Sequence, residues 1–219
     1  MLQVRQLQTD PEVNTLIVHA DRNMEIMGYT KHGARHALQV ARTARRVLAQ
    51  LGFDSRSTCL ASLAGYLHDI GNAISRTNHA QTGALLAGQI LSRLGMPSPD
   101  FAEVVAAIGN HHEEDGGPVS PISAALILAD KSDVHRYRVR SPEALKQDIH
   151  DRVNFAVTKS GLIVSRPRRT ITFNLTIDTT ISSVMDYFEI FLSRMLISRR
   201  AAAFLDCQFS LFLNQTRMV

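Results

Sequence analysis

Cysteine is nearly absent from this chain: two residues in 219, Cys59 and Cys207. Each stands inside an apolar segment with no ligand-like partner close by, which excludes a disulfide framework and a thiolate metal site and leaves two buried free thiols. Long apolar runs are missing too. No stretch approaches the roughly 18–20 residues needed to cross a bilayer, so membrane insertion is not expected. The opening residues, MLQVRQLQTDPE, lack the charged start and apolar core of a signal peptide. No tract is of low complexity, and 45% of the chain is hydrophobic against 20% charged, a balance that supplies one substantial core and argues against disorder. Aromatic residues are few beside the basic clusters HRYRVR and SRPRR, which counts against nucleic-acid binding by base stacking. These absences suit a cytoplasmic protein. The net charge of +4 is a mild basic excess that favours anionic partners such as phosphates.

What is present is helical periodicity up to about residue 150. Asp10 and Pro11 form a cap and first-turn pair for a helix that stops at Gly28. Thr30 can cap the next, which runs to Leu51 and stops at Gly52. A third covers 55–69 and ends near Gly71, and a fourth begins near Asn78 and ends before GMPSPD. A fifth covers 100–111, Pro121 starts a sixth that ends at Lys131, and Ser141-Pro142-Glu143 opens a seventh. Beyond residue 150 the period changes. NFAVTKSGLIVSR reads as two strands around a turn at Lys159–Gly161, RPRR as a second turn, and TITFNLTI as an alternating strand. Asp178 then caps a long amphipathic helix to about Leu205, and CQFSLFL is a last strand. The expected fold is mainly α: a helical domain over 1–150, followed by a small α+β C-terminal subdomain over 151–219.

The nine histidines carry the functional signal. His32 and His36, four apart, share a helix face with Val40, Ala44, Val47 and Leu51. His68 and Asp69, in GYLHDIGN, point about 100° apart, so both reach one ion only if it lies between them near the helix end. The partial negative charge of a helix C-terminus favours a cation there. His79 opens the fourth helix, and His111 and His112 close the fifth. Asp130 ends the apolar run ISAALILAD, where a buried carboxylate needs a cation or several donors. Each of these has an ordinary reading: a satisfied core histidine, a His–Asp hydrogen bond, a solvated helix end, an ion pair of Asp130 with Lys131. Together they place imidazoles and carboxylates at the ends of several inward-facing helices, as metal sites in helical bundles are built. The donor set suits Fe, Mn, Zn, Ni or Co better than Ca or Mg. Leaving His32 aside, the seven candidates His36, His68, Asp69, His79, His111, His112 and Asp130 exceed the four ligands of a structural zinc, which favours two ions with open positions and therefore catalysis.

His36 in HALQVA, the HD pair at 68–69 and Asp130 in LADKSD resemble the HD-domain metal-dependent phosphohydrolases over roughly residues 30–135. HAQTGALLA and AIGNH are similar to the HD-type hydrolases of symmetrical dinucleoside tetraphosphates, which use a binuclear iron site. HDIG and HHE are similar to the HD-GYP cyclic-dinucleotide phosphodiesterases, whose sites hold two or three metals. The resemblance implies an HD-domain helical bundle with core ligands His36, His68, Asp69 and Asp130. It implies that Asp69 bridges two ions and that His79, His111 and His112 complete the second. His32 matches the position where some trinuclear members place a carboxylate. Asn72 stands where HD-GYP proteins have lysine, and EDGGPVSP follows HHE in place of GYP, which argues against a cyclic-dinucleotide substrate.

The function this implies is hydrolysis of a phosphoester or phosphoanhydride bond of a nucleotide-type substrate by a metal-activated water at a binuclear site. Asp69 and Lys131 are the expected catalytic residues, and Lys131, Arg76 and Arg136 the expected phosphate-binding cations. Glu113 and Asp115 are candidates for proton transfer, with nothing to select between them. The competing reading is a metal-binding, ligand-sensing or regulatory module with little turnover, for which the α+β tail would serve dimerisation. The complete ligand set argues against it. A homodimer would cover a bare sheet edge if the tail leaves one, and nucleic acid ranks last among the partners.

Overall fold

Prolines and short polar side chains mark where the helices begin. The computed structural model describes residues 1–141 and 149–219. In it, Asp10 accepts from the backbone N–H groups of Glu12 and Val13, and Pro11 takes the first helical position of α2 (Pro11–Ile26). A short α1 (Val4–Thr9), too brief to show a period, precedes it and buries Leu7. α3 (Ala34–Leu51) starts three residues later than expected. Asp21 accepts from the His32 backbone N–H and from Arg140, and this tie keeps residues 30–33 out of the helix. Thr30 is therefore not its cap, and His32 lies in the preceding loop. At the other end Gly52 adopts the left-handed conformation (φ 90°) that closes the helix.

α4 (Ser55–Leu67), capped by Asp54, is buried from Thr58 onward and forms the centre of the bundle. It lies so close to α3 that a Cβ on Gly65 would stand 2.8 Å from the Ala41 backbone. His68 and Asp69 follow directly and lead into a 3₁₀ turn, Ile70–Ala73. Then come α5 (His79–Arg93), α6 (Ser98–Gly109) and α7 (Pro121–Lys131), the last capped by Ser120. α6 ends two residues before the expected boundary, so His111 and His112 occupy the loop beyond it. A second 3₁₀ turn covers Arg136–Arg138. The helix expected to open at Ser141-Pro142-Glu143 falls on residues 142–148, outside the described residues. α8 (Ile149–Ala156) follows.

Four strands make one sheet in the order β1 (Val157–Ser165), β2 (Thr170–Ile177), β3 (Gln208–Leu213), β4 (Thr216–Arg217). β1 and β2 form an antiparallel hairpin across the expected turn at residues 166–169. No turn interrupts Lys159–Gly161. These residues pair with Thr176, Leu175 and Asn174, so the two expected strands are one, and Asn154–Ala156 belong to α8. β2 and β3 are parallel, which requires a crossover, and α9 (Val184–Phe204) supplies it. α9 starts later than expected. Ser183 and Asp186 form its capping box, while Asp178 accepts from Thr180 and holds a separate turn. α9 packs across α7, and one buried apolar cluster continues from α1 to β3. Among the described residues no helix is long and apolar enough to cross a membrane.

Candidate metal centre

The bundle converges its helix ends on one point. α3 brings His36, the end of α4 brings His68 and Asp69, the start of α5 brings His79, the loop after α6 brings His111 and His112, and the last turn of α7 brings Asp130. His36, His68, Asp69, His79 and His111 are buried. Oδ2 of Asp69 lies 3.2 Å from His68 Nε2 and 3.4 Å from His36 Nε2. Oδ1 of Asp130 lies 3.4 and 3.5 Å from His36 and His68 Nε2 respectively. The other oxygen of Asp69 faces elsewhere: Oδ1 is 3.7 Å from His79 Nε2 and 3.9 Å from His111 Nε2. Asp69 thus stands between two groups of imidazoles. His112 completes the array, its ring edge-on to that of His79 at 4.9 Å.

The orientation of the rings is what distinguishes this cluster from a set of satisfied core histidines. Nδ1 of His68 faces the Gly65 carbonyl at 2.9 Å, that of His111 the Ile108 carbonyl at 2.6 Å, and that of His79 the Arg76 carbonyl at 3.1 Å. Nδ1 of His36 faces the Asp133 carboxylate at 2.6 Å. Carbonyls and carboxylates only accept, so each Nδ1 carries the proton, and in the neutral ring each Nε2 turns its lone pair to the centre. Tethering one ring nitrogen to orient the other is how metal-ligating histidines are held. His36 Nε2 and His68 Nε2 are buried and have no hydrogen-bond partner among the described residues. The carboxylate oxygens near them stand at the spacing of co-ligands: two atoms bound at ~2.1 Å to one ion, 90–109° apart, are about 3.0–3.4 Å from each other. Among the described residues, two groups of potential ligand atoms are close enough to hold an ion, His36 with His68 and Asp130, and His68 with Asp69 and His111.

The electrostatics point the same way. Burial works against ionising Asp69 and Asp130, yet His68 beside the first and Lys131 beside the second hold both carboxyls well below the usual range. Burial also disfavours charge on His68, but the two carboxylates override it and raise its pKa to about 10. Burial wins at His79, whose pKa falls to about 4 despite the pull of Asp69. Two buried carboxylates thus draw a proton onto one imidazole, a place that a cation can take. Asn72 donates to Asp69 Oδ1 at 3.2 Å and to its carbonyl, which steadies the carboxylate.

The remaining expected residues are distributed unevenly. Lys131 is buried, its ammonium held between Glu113 and Asp130. Arg76 lies beside the candidate ligands, with Nη1 3.4 Å from His79 Nε2 and its guanidinium over the Tyr29 ring. His32 is not on α3, but its ring centroid is 5.6 Å from that of His36, so it borders the cluster from the loop. Arg136 is not brought here: it stacks on Phe155. Its neighbours in HRYRVR are occupied too, Arg138 with Asp133 and Arg140 with Asp21. Sequence reading did not single out Asp133, the partner of His36, or Arg194 of α9, which lines the site with Glu113. Neither had a local signal, since their partners are far away along the chain. A small cavity of about 20 Å³, lined by Asp69, His79, His111, His112 and Asp130 among others, shares His32, Arg76, His112, Glu113 and Arg194 with a cleft of about 440 Å³.

The HD domain family model matches residues 33–154, a span that holds every one of these candidate ligands except the neighbouring His32. Three curated relatives are each called Ribonuclease Y. The chain is 37% identical over 108 residues to that of Lawsonia intracellularis, covering 48% of this chain and 18% of the relative. It is 39% identical over 104 residues to one from Thermus thermophilus, covering 46% and 16%. It is 31% identical over 144 residues to that of Bacillus pumilus, covering 61% and 25%. The chain therefore matches a quarter or less of the length of each of these relatives.

Proposed function

The chain belongs to the HD domain family, and on that premise we propose that it is a metal-dependent phosphohydrolase that cleaves a phosphodiester of a nucleotide-type substrate with two divalent ions. The observation that carries this reading is the set of four imidazoles tethered at Nδ1, with Nε2 turned toward Asp69 and Asp130. In this reading His36, His68, Asp69 and Asp130 would hold one ion, and Asp69 with His79, His111 and His112 would hold a second, with His32 at the border as a further candidate. Such donors suit Fe, Mn, Zn, Ni or Co. Ions bound there supply Lewis-acid polarisation of a phosphoryl oxygen and water acidified toward neutral pH.

The chain's own residues supply the positioning. Asn72 keeps the Asp69 carboxylate facing both groups of imidazoles. Lys131 takes the outer oxygen of Asp130, 2.8 Å away, and so leaves Oδ1 turned to the histidines. Arg76, at the border of the inner cavity and the cleft, meets the phosphate oxygens. The name of the relatives raises RNA from the last-ranked partner to the first substrate to test.

The test is turnover of bis-p-nitrophenyl phosphate, followed by a panel of a short oligoribonucleotide, a dinucleoside tetraphosphate and a cyclic dinucleotide. Hydrolysis of the simple diester and of the oligoribonucleotide is expected, lost together with bound metal in Asp69→Ala. Full activity in that variant would sink the reading. Panel members that bind without yielding product would replace it with the ligand-sensing alternative.

A further inference from the structure

Beyond the residues matched to the family, α9 reaches the ligand cluster. Arg194 lines both the cavity between the metal ligands and the outer cleft. Its Nε lies 3.5 Å from Glu113 Oε1, and its guanidinium sits over the Phe191 ring, 4.5 Å from the centroid. These two contacts set the plane of the group. Neither terminal nitrogen has a hydrogen-bond partner among the described residues, and the side chain is 24% exposed. A planar fork with its donors left free is the arrangement that receives a phosphate in two-pronged fashion.

The other cations near the ligands are committed. Lys131 is shared by Asp130 and Glu113, and Arg138 is buried against Asp133. Among the described residues that leaves Arg76, whose Nη1 also meets Asn72 and His79, and Arg194, beside Glu113, as the cations that line both the inner cavity and the cleft. Each also lies on an aromatic ring, Tyr29 and Phe191, and both rings line the cleft.

We propose that Arg194 is a phosphate-binding residue of this site, so that the C-terminal segment, through α9, completes the substrate cleft of the HD bundle. The proposal rests on the phosphohydrolase reading above. It assigns to Arg194 the role that sequence reading gave to Arg136. It also makes the tail a determinant of which phosphodiester fits, since Ile190, Phe191 and Ser193 form that wall of the cleft.

The test uses the full chain loaded with metal and the variants Arg194→Gln and Arg194→Lys. Four quantities are read: metal content, melting temperature, affinity for inorganic phosphate, and kcat and KM on bis-p-nitrophenyl phosphate. Arg194→Gln is expected to keep its metal and its melting temperature, and to lose about ten- to a hundredfold in phosphate affinity and in kcat/KM, the range for one charge-assisted contact. Arg194→Lys, which keeps the charge but not the fork, should fall between Gln and the wild type. Unchanged phosphate affinity and kcat/KM in Arg194→Gln would overturn the proposal. So would early melting or metal loss in both variants, because Arg194 would then be only a structural partner of Glu113. The two readings fail separately. A wild type that binds phosphate through Arg194 but hydrolyses nothing upholds the anion site and removes the phosphohydrolase. A wild type whose turnover ignores Arg194 does the reverse.

Discussion

Replacing Asp133 by asparagine isolates the support behind one proposed metal ligand, His36. Asp133 Oδ2 accepts from His36 Nδ1 at 2.6 Å and lies 3.7 Å from Arg138 Nη1. Asparagine keeps an oxygen in place to hold the ring, so the fold and the direction of Nε2 survive. The negative charge that makes His36 a stronger donor is lost. Outer partners of this kind are worth about 10–100-fold in metal affinity, or about 1.4–2.8 kcal/mol. A second cost falls on stability. Arg138 is buried, and neutralising its carboxylate leaves the Asp133 carbonyl, at 3.1 Å, as the acceptor that still holds the guanidinium. Breaking a buried ion pair outright costs about 3–5 kcal/mol. The retained carbonyl contact and the nearby charges of Asp130 and Asp69 reduce this to about 1–3 kcal/mol. Metal titration against a competing chelator reads the first effect and thermal melting of the metal-free protein the second. An Asp133→Asn protein that binds metal as tightly as the wild type would refute the assignment of His36 as a ligand supported by Asp133.

Two further predictions concern the scaffold. Gly65→Ala would place a methyl group 2.8 Å from the Ala41 backbone, which cannot step aside without moving α3. Alanine gains about 1 kcal/mol in helix propensity, but overpacking costs about 1–3 kcal/mol. Since the clash is with backbone, the upper end of that cost applies, so a net loss of about 2 kcal/mol and a Tm several degrees lower are expected; an unchanged Tm would show that α3 and α4 do not touch there. Asp10→Asn keeps a good cap and removes a charge. The Asp10 carboxyl is held below its usual range, first by its hydrogen bond with Arg93 and then by the α2 backbone N–H groups. A depressed carboxyl stabilises the fold above its unfolded pKa of 3.8 and loses that contribution as pH falls through the folded value. The Tm gap between wild type and Asp10→Asn should therefore be constant near neutrality and close below about pH 4. A gap that persists or widens in acid would contradict the pairing.

Local signals in the sequence carried the helical part of the fold. Asp10-Pro11, Gly52 and Pro121 bound their helices in the structure as their chemistry requires. The candidate ligands were legible for a related reason: imidazoles and carboxylates at helix ends are conspicuous in apolar surroundings, and the structure brings His36, His68, Asp69, His79, His111 and Asp130 to one point. What stayed hidden depends on distant contacts. His32 leaves the helix because Asp21, eleven residues back, ties it to Arg140. The turn expected at Lys159–Gly161 is absent because β2 pairs straight through it, and glycine in a strand reads much like glycine in a turn. Nothing in the residues beside Arg136 or Arg194 tells which of the two meets the ligands. Only the packing of α9 over α7 sends one into the site, while Phe155 holds the other outside. Asn72, noted first as a departure from one branch of the resemblance, donates to the Asp69 carboxylate.

The central claim is that hydrolysis depends on ions held around Asp69. Its most direct test is a single titration: strip the purified protein of metal, add back a divalent ion in steps, and measure bound metal and bis-p-nitrophenyl phosphate turnover on the same samples. Turnover that is absent without metal, rises with bound metal and reaches its plateau at two ions per chain is the predicted result. Full turnover in the metal-free protein would contradict it.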